Sequence, residues 1–451
     1  MRVRIRSQHF RNVRFAPKLS LEQSIQCYKA RYHSATAYSP GPGITLDDFK
    51  PQVEPRDSRQ NAIVNILELV RSNLTAWHNP GPAQFDFRSN HTPTVERDYN
   101  TKMLIFKKSG DVVTTPTLQM LLAIVNTSLL DDVYQEDPTT KSFEEQMATM
   151  AGHESGMFVL SGTMANQVAL RAHLTQPPHA ILCDSRSHII HWEAGGIAST
   201  CGAMVQGVTP RNGEYLTLED IKRKAVLSDD VHKCPTRVIS LENTISGLIH
   251  PLSEIRRISK WAKAMGIKLH LDGARLWEAV AEGGGSIKDF AKCFDSVALD
   301  FAKGLGAPMG AIIVGNANFI AQGRRIRKAL GGGMRQAGVL SAAAKAAVDG
   351  MFGDEMSAAE VGAAMREVHF VAKQVANMWM RQGGKLRRRV ETNIVWLDLK
   401  EANISTEEFN RIGRQYGVKV DGSRVVLHYQ ISKDALRRLE QTFGHALGNA
   451  K

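Results

Sequence analysis

From about Gln84 onward the chain alternates short apolar runs with stretches of helical periodicity, and no other feature limits its fold as tightly. The runs 180–183, 238–241, 267–271, 296–299 and 311–314 are mainly β-branched or apolar, and Asp, Glu or Gly follows each one. Such runs predict strands covered on both faces. Between the second and third, Leu252, Ile255, Ile258, Trp261 and Ala262 fall at helical spacing, and Gly266 stops the helix. Strand–helix–strand units of this kind predict an α/β domain with a mostly parallel sheet, here over residues 84–340. A long helix over 357–381, stopped by Gly383 and Gly384, and strands near 394–397 and 425–427 predict a smaller α+β domain over 341–451. Residues 1–83 carry Pro- and Gly-bearing stretches around one amphipathic patch and read as a basic N-terminal extension. There are no internal repeats.

Composition narrows the function. With 451 residues, 43% hydrophobic and 23% charged, the chain can bury a sizeable core, which excludes a disordered or collagenous protein. No run of about 18 apolar residues is present to span a bilayer. The net charge of +12 tempts one toward nucleic acid. Residues 1–40, however, hold eight Lys and Arg against the single acid Glu22, so the other 411 residues carry only +5. The body is nearly balanced, and nucleic-acid binding is not expected. Five cysteines with no C-x-x-C pair fit a reducing compartment, with neither a disulfide framework nor a metal site. The first twenty residues are Arg-rich and free of acid. They read either as a mitochondrial transit segment or as a plain basic extension of a cytoplasmic protein.

Four features at strand ends carry chemistry. Ser161-Gly162-Thr163-Met164-Ala165-Asn166 lies between a short strand and a helix, where free N–H groups and the helix dipole attract an anion. The same residues also suit a plain helix cap. Asp272-Gly273-Ala274-Arg275 follows the strand 267–271; ligands of open α/β sheets sit at such carboxyl ends, though an Asp there also caps helices. Lys303 precedes Gly304-Leu305-Gly306-Ala307-Pro308, as suits an imine-forming lysine in a desolvated pocket or a solvated loop lysine. Asp184-Ser185-Arg186-Ser187-His188 leads to Glu193-Ala194-Gly195-Gly196. An anion cradle, a strand-end carboxylate and a strand-end lysine together describe the needs of pyridoxal 5'-phosphate.

These motifs, with Asp132-Val133-Tyr134-Gln135-Glu136-Asp137-Pro138-Thr139, Glu242-Asn243-Thr244 and Gly331-Gly332-Gly333-Met334-Arg335-Gln336, stand in a familiar order. The chain resembles the threonine aldolase family of fold-type-I pyridoxal-phosphate enzymes, within the β-eliminating lyase group, from about Phe85 to the C-terminus. The resemblance implies an aspartate-aminotransferase-like large domain and a small C-terminal domain, assembled as a homo-oligomer. It implies that Lys303 forms the imine with the cofactor, Asp272 pairs with the ring nitrogen, Gly162 and Thr163 hold the phosphate, and His188 stacks on the ring. Arg275 and Arg424 would clamp the carboxylate of a small amino-acid substrate, and Ser89 would line the same site. Arg335 would reach a cofactor site across a subunit interface. The implied reaction is cleavage of L-threonine or L-allo-threonine to glycine and acetaldehyde, with β-elimination or an aldolase for a bulkier aldehyde as the alternative.

The chain departs from the family in three places. Ile245 stands where many bacterial members have His, so the base is unidentified. Ala302 replaces a common Ser before the lysine. The family's Asp-x-Arg-Ser-Asp-Thr-Val-Thr run is split into Asp86-Phe87-Arg88-Ser89 and Asp111-Val112-Val113-Thr114. The 21 residues 90–110 between them are expected to be either a translated intron or a surface loop.

Overall fold

A computed structural model describes residues 104–105, 110–353 and 356–448. The extension 1–83, Ser89 and all of the 90–110 insertion except 104, 105 and 110 lie outside the described residues.

Helix α1 (Leu118–Val125) is capped by Thr117, whose hydroxyl accepts the Met120 N–H. Helix α2 (Pro138–Ala151) begins on Asp137 with Pro in its first turn, where a missing N–H is harmless, and ends at Gly152 with φ of 69°. Seven strands follow in chain order: β1 (Ser155–Val159), β2 (Ala180–Asp184), β3 (Met204–Val208), β4 (Thr236–Glu242), β5 (Lys268–Gly273), β6 (Ser296–Asp300) and β7 (Ala311–Gly315). They make one sheet in the order β1-β7-β6-β5-β4-β2-β3. Only β7 runs against its neighbours β1 and β6; the remaining pairs are parallel. The sheet is therefore mostly parallel, as the alternation predicts. Strands β2, β6 and β7 are buried along their whole length, which is why they read as unbroken apolar runs.

Helix α3 (Gly162–His173) starts on Ser161, whose hydroxyl accepts the Met164 N–H at 3.2 Å. Helix α4 (Leu252–Ala264) buries Ile255, Ile258 and Ala262, the stripe its sequence spacing announces. Because β2, β4, β5 and β6 are parallel, their last residues open on one side of the sheet, and the loops beyond them build the site.

After the short α5 (Leu276–Ala281), α6 (Gly338–Phe352) packs on α1 and α2 and lends Ala343, Ala347, Val348 and Phe352 to the core under the sheet. The boundary read at residue 340 thus falls inside a helix that packs with the sheet. A second core begins at Val368 on α7 (Ala363–Arg381). That helix is shorter than its periodicity suggests, because Gly362, at φ of 67°, opens it after a turn over 357–362. The second core joins α7 to β8 (Ile394–Trp396), α8 (Thr406–Gln415), β9 (Arg424–Val426) and α9 (Lys433–Ala446). Strands β8 and β9 pair antiparallel, and Trp379 meets Phe409 and Phe443 edge-on while those two rings stack. Leu104–Ile105 adds a two-residue parallel ladder to Val418–Lys419. Among the described residues no helix is long and apolar enough to cross a membrane.

Candidate active site

Lys303 lies three residues beyond β6, and its amine pairs with the Asp300 carboxylate. Both face the first residue of α3. A Cβ built on Gly162 would fall 2.7 Å from Asp300 Oδ2 and 3.9 Å from Lys303 Nζ, so glycine is what lets the helix mouth come this close to the Asp300 carboxylate. Thr163 is the next residue of the helix and is half-buried.

Asp272 stands at the end of β5, and both its oxygens accept N–H bonds. Oδ1 takes the Ala274 N–H at 3.1 Å, and Oδ2 takes the Asn166 amide at 2.7 Å. The same Asn166 nitrogen donates to Glu193 Oε1 at 2.9 Å. His188 Nδ1 meets that oxygen at 2.9 Å, and this bond raises the His188 pKa above the ordinary value, against the effect of burial. Behind Asp272 the polar chain continues. Burial pushes His270 down to about 3, so the ring is neutral and has one N–H to give. With Asn166 Oδ1 as an acceptor 3.1 Å away, that N–H is on Nε2, leaving Nδ1 to accept from Ser296 Oγ at 2.8 Å. His173 Nε2 donates to the same hydroxyl at 2.7 Å. Each buried polar group thus has a partner that fixes the orientation of the next. The ligand atoms of His188, Glu193 and Asp272 all lie within 4.8 Å of one another.

Glu242 ends β4 directly beside Asp272, its register partner on β5. Its Oε2 accepts the His188 backbone N–H at 3.0 Å. Desolvation and the neighbouring Asp272 push its carboxyl up to about 7.

The two arginines read as a carboxylate clamp differ. Arg275 donates from Nε and Nη2 to the two oxygens of Asp111, at 2.6 and 2.8 Å. Burial would raise the Asp111 carboxyl, but Arg275 outweighs it and holds the group at about 2. Asn393 also donates to Asp111, at 3.2 Å. Arg424, the first residue of β9, has no hydrogen-bond partner among the described residues; burial and the positive charge of Arg275 lower it to about 10. Arg335 stands apart. Its guanidinium is exposed and pairs with Asp131, and no contact joins it to Lys303, Asp272 or His188 of its own chain. Ser89 lies outside the described residues.

Sequence reasoning assigned no role to Asp111, Asn166, Glu193, Glu242 or Asp300. Four of the five lie inside quoted motifs; Asp300, a strand-end acid three residues before the lysine, was signalled by its position alone.

The residues fit pyridoxal 5'-phosphate: a glycine-floored helix mouth for the phosphate, a lysine beside it, and a carboxylate and an imidazole joined through Asn166 and Glu193. Residues 109–402 match the β-eliminating lyase family. The chain belongs to that family. Within the β-eliminating lyases it is a threonine aldolase relative, 43% identical over 343 residues to "Low-specificity L-threonine aldolase" of Eremothecium gossypii, covering 76% of this chain and 87% of that one. It is 47% identical over 386 residues to "Alanine racemase TOXG" of Cochliobolus carbonum, covering 86% and 93%. It is also 47% identical over 367 residues to "Aldolase vrtJ" of Penicillium aethiopicum, covering 81% and 87%. The solved threonine aldolase of Leishmania major superposes with a TM-score of 0.63 at 17% identity, over 76% of this chain and 99% of that one. That likeness places the fold among the aspartate-aminotransferase-like, type I enzymes. The β-eliminating lyase uses pyridoxal 5'-phosphate.

Proposed function

We propose that this β-eliminating lyase cleaves L-threonine or L-allo-threonine between Cα and Cβ to give glycine and acetaldehyde. The observation that carries the reading is Arg424, a guanidinium left without a partner on the strand beside Asp111 and Arg275, where a substrate carboxylate can be met by a planar, bidentate donor. When bound, the cofactor supplies an electron sink for the bond being broken. Lys303 would anchor it, Gly162 and Thr163 would offer backbone N–H groups to its phosphate, Asp272 would hold a proton at its ring nitrogen, and His188 would lie against the ring. Arg424 would hold the substrate carboxylate and so orient the scissile bond. Glu242, poised near neutrality beside Asp272, takes the proton of the substrate hydroxyl, a task that a histidine at position 245 would otherwise serve. Ile245 is buried and cannot. Arg335, exposed on the same face as Asp131, serves the site of a second copy.

A second reading keeps the site and changes the reaction. Similarity to proteins named as an alanine racemase and as another aldolase favours proton movement at Cα, or release of a bulkier aldehyde. A coupled assay on L-threonine, L-allo-threonine and phenylserine, with chiral analysis of L-alanine in parallel, decides between them. Acetaldehyde from threonine supports the first reading. D-alanine without acetaldehyde replaces it with the second.

A further inference from the structure

Asp300 is 6% exposed and its two oxygens have separate tasks. Oδ1 accepts the Ala302 N–H at 2.7 Å, closing a local turn that any side-chain oxygen would close. Oδ2 pairs with Lys303 and stands against Gly162, at the mouth of α3. Helix N–H groups, the helix dipole and the lysine ammonium all attract an anion, and in this chain an anion is already covalently in place. A phosphate group entering the cradle meets a carboxylate of its own sign, competing for the same helix mouth and the same cation. In a site shielded from water, like charges a few ångströms apart repel far more strongly than they do in bulk water.

We propose that Asp300 is an internal competitor of the cofactor phosphate, its carboxylate standing at the mouth of α3 beside Lys303 and weakening cofactor binding. The inference rests on pyridoxal 5'-phosphate as the cofactor of this site and adds that its phosphate end is tuned by one residue. Lys303 is the charged side chain in contact with the Asp300 carboxylate; Trp277 reaches only its backbone carbonyl, at 3.0 Å. The competition is therefore a matter of this one carboxylate.

Cofactor-free full-length protein would be titrated with pyridoxal 5'-phosphate and, separately, with pyridoxal, which carries the same aldehyde and no phosphate. Binding is followed by the absorbance band of the bound compound in wild type, Asp300→Asn and Asp300→Ser. The asparagine keeps the oxygen that closes the Ala302 turn and removes only the charge. Both variants are expected to bind pyridoxal 5'-phosphate at least about tenfold more tightly than wild type, with pyridoxal changed by no more than about twofold. An equal gain for both compounds would mean that Asp300 acts on the lysine amine and not on the phosphate, and would overturn the proposal. So would weaker or unchanged binding of pyridoxal 5'-phosphate. Failure of both variants to fold would overturn it too, because a carboxylate kept for competition is not needed for folding. No band with either compound in any variant would remove the cofactor assignment itself.

Discussion

Asp111 and Arg275, 164 positions apart in the chain, meet through two parallel hydrogen bonds of 2.6 and 2.8 Å in a site where Asp111 has no solvent exposure. Arg275 belongs to the loop after β5, and Asp111 is the first residue after the insertion. The pair therefore ties the segment leading into α1 to the strand end that carries Asp272. It also leaves Arg424 as the guanidinium open to a ligand.

Acid should release this tie. A carboxyl at about 2, below its ordinary 3.8, stabilises the fold above about pH 4, and that contribution is lost as pH falls through about 2. The shift corresponds to roughly 2 kcal/mol. Urea unfolding between pH 6 and 2 should show the loss in wild type. Asp111→Asn should be less stable at neutral pH by about 3 kcal/mol, since Arg275 is left buried without its counter-ion, and its stability should fall less on acidification.

The two arginines should separate in a kinetic and thermal comparison. Arg424→Ala is expected to raise KM for threonine at least about tenfold while leaving the melting temperature within a few degrees, as removal of a charged substrate contact predicts. Arg275→Ala is expected to lower the melting temperature markedly, by orphaning Asp111. Identical profiles for the two variants would contradict the division.

Lys303→Ala should lose both turnover and the borohydride-reducible absorbance of the bound cofactor. Asp272→Asn should keep the cofactor and lose about one to two decades of rate, the kinetic equivalent of a charge-assisted hydrogen bond worth roughly 1.5–3 kcal/mol. A reducible chromophore in the lysine variant, or near wild-type turnover in the asparagine variant at saturating cofactor, would contradict these assignments.

Glu242 makes a pH prediction. Its carboxyl, held at about 7, must be ionised to accept a proton, so kcat/KM should rise through about pH 7 and level above it. Glu242→Gln should be slow and lack that rise. A wild-type profile unchanged by the substitution would assign the base elsewhere.

Residues 90–110 should be absent from the mature message. Removing their 21 codons joins Ser89 to Asp111, bringing a hydroxyl beside the Arg275 pair. Among the described residues the deletion takes away only Gly110, at the start of a short 3-10 turn, and the two-residue ladder between Leu104–Ile105 and Val418–Lys419. Sequencing the transcript checks this. If the segment is present, deleting it should alter aldehyde preference, because a loop at the site rim costs little to close and can shape the mouth.

Much of the scaffold is a local property and was open to inspection in the chain. Helix α4 shows its buried stripe in its spacing, and β6 and β7 show full burial as unbroken apolar runs. Ser161 caps α3 through a contact three residues long. Lys303 and Asp272 could be placed at strand ends for the same reason, since a residue just past an apolar run has few other places to be. The start of α7 differs from the periodicity because Ser357 to Val361 continue the helical spacing, while Gly362, in a left-handed conformation, opens the helix at Ala363.

Periodicity, capping and strand ends therefore belonged to the sequence by itself: they depend on neighbours within a few positions, and steric and hydrogen-bonding rules act at that range. The tertiary structure alone decided which groups face one another. Glu242 lies beside Asp272 because β4 pairs with β5 in that register. Asn166 reaches Asp272 and Glu193 because α3 crosses the sheet there. Arg275 is filled and Arg424 left open because the fold brings Asp111 onto Arg275. No spacing encodes these meetings, since they follow from strand order and helix placement, and the charges of the site take their values from that burial and company.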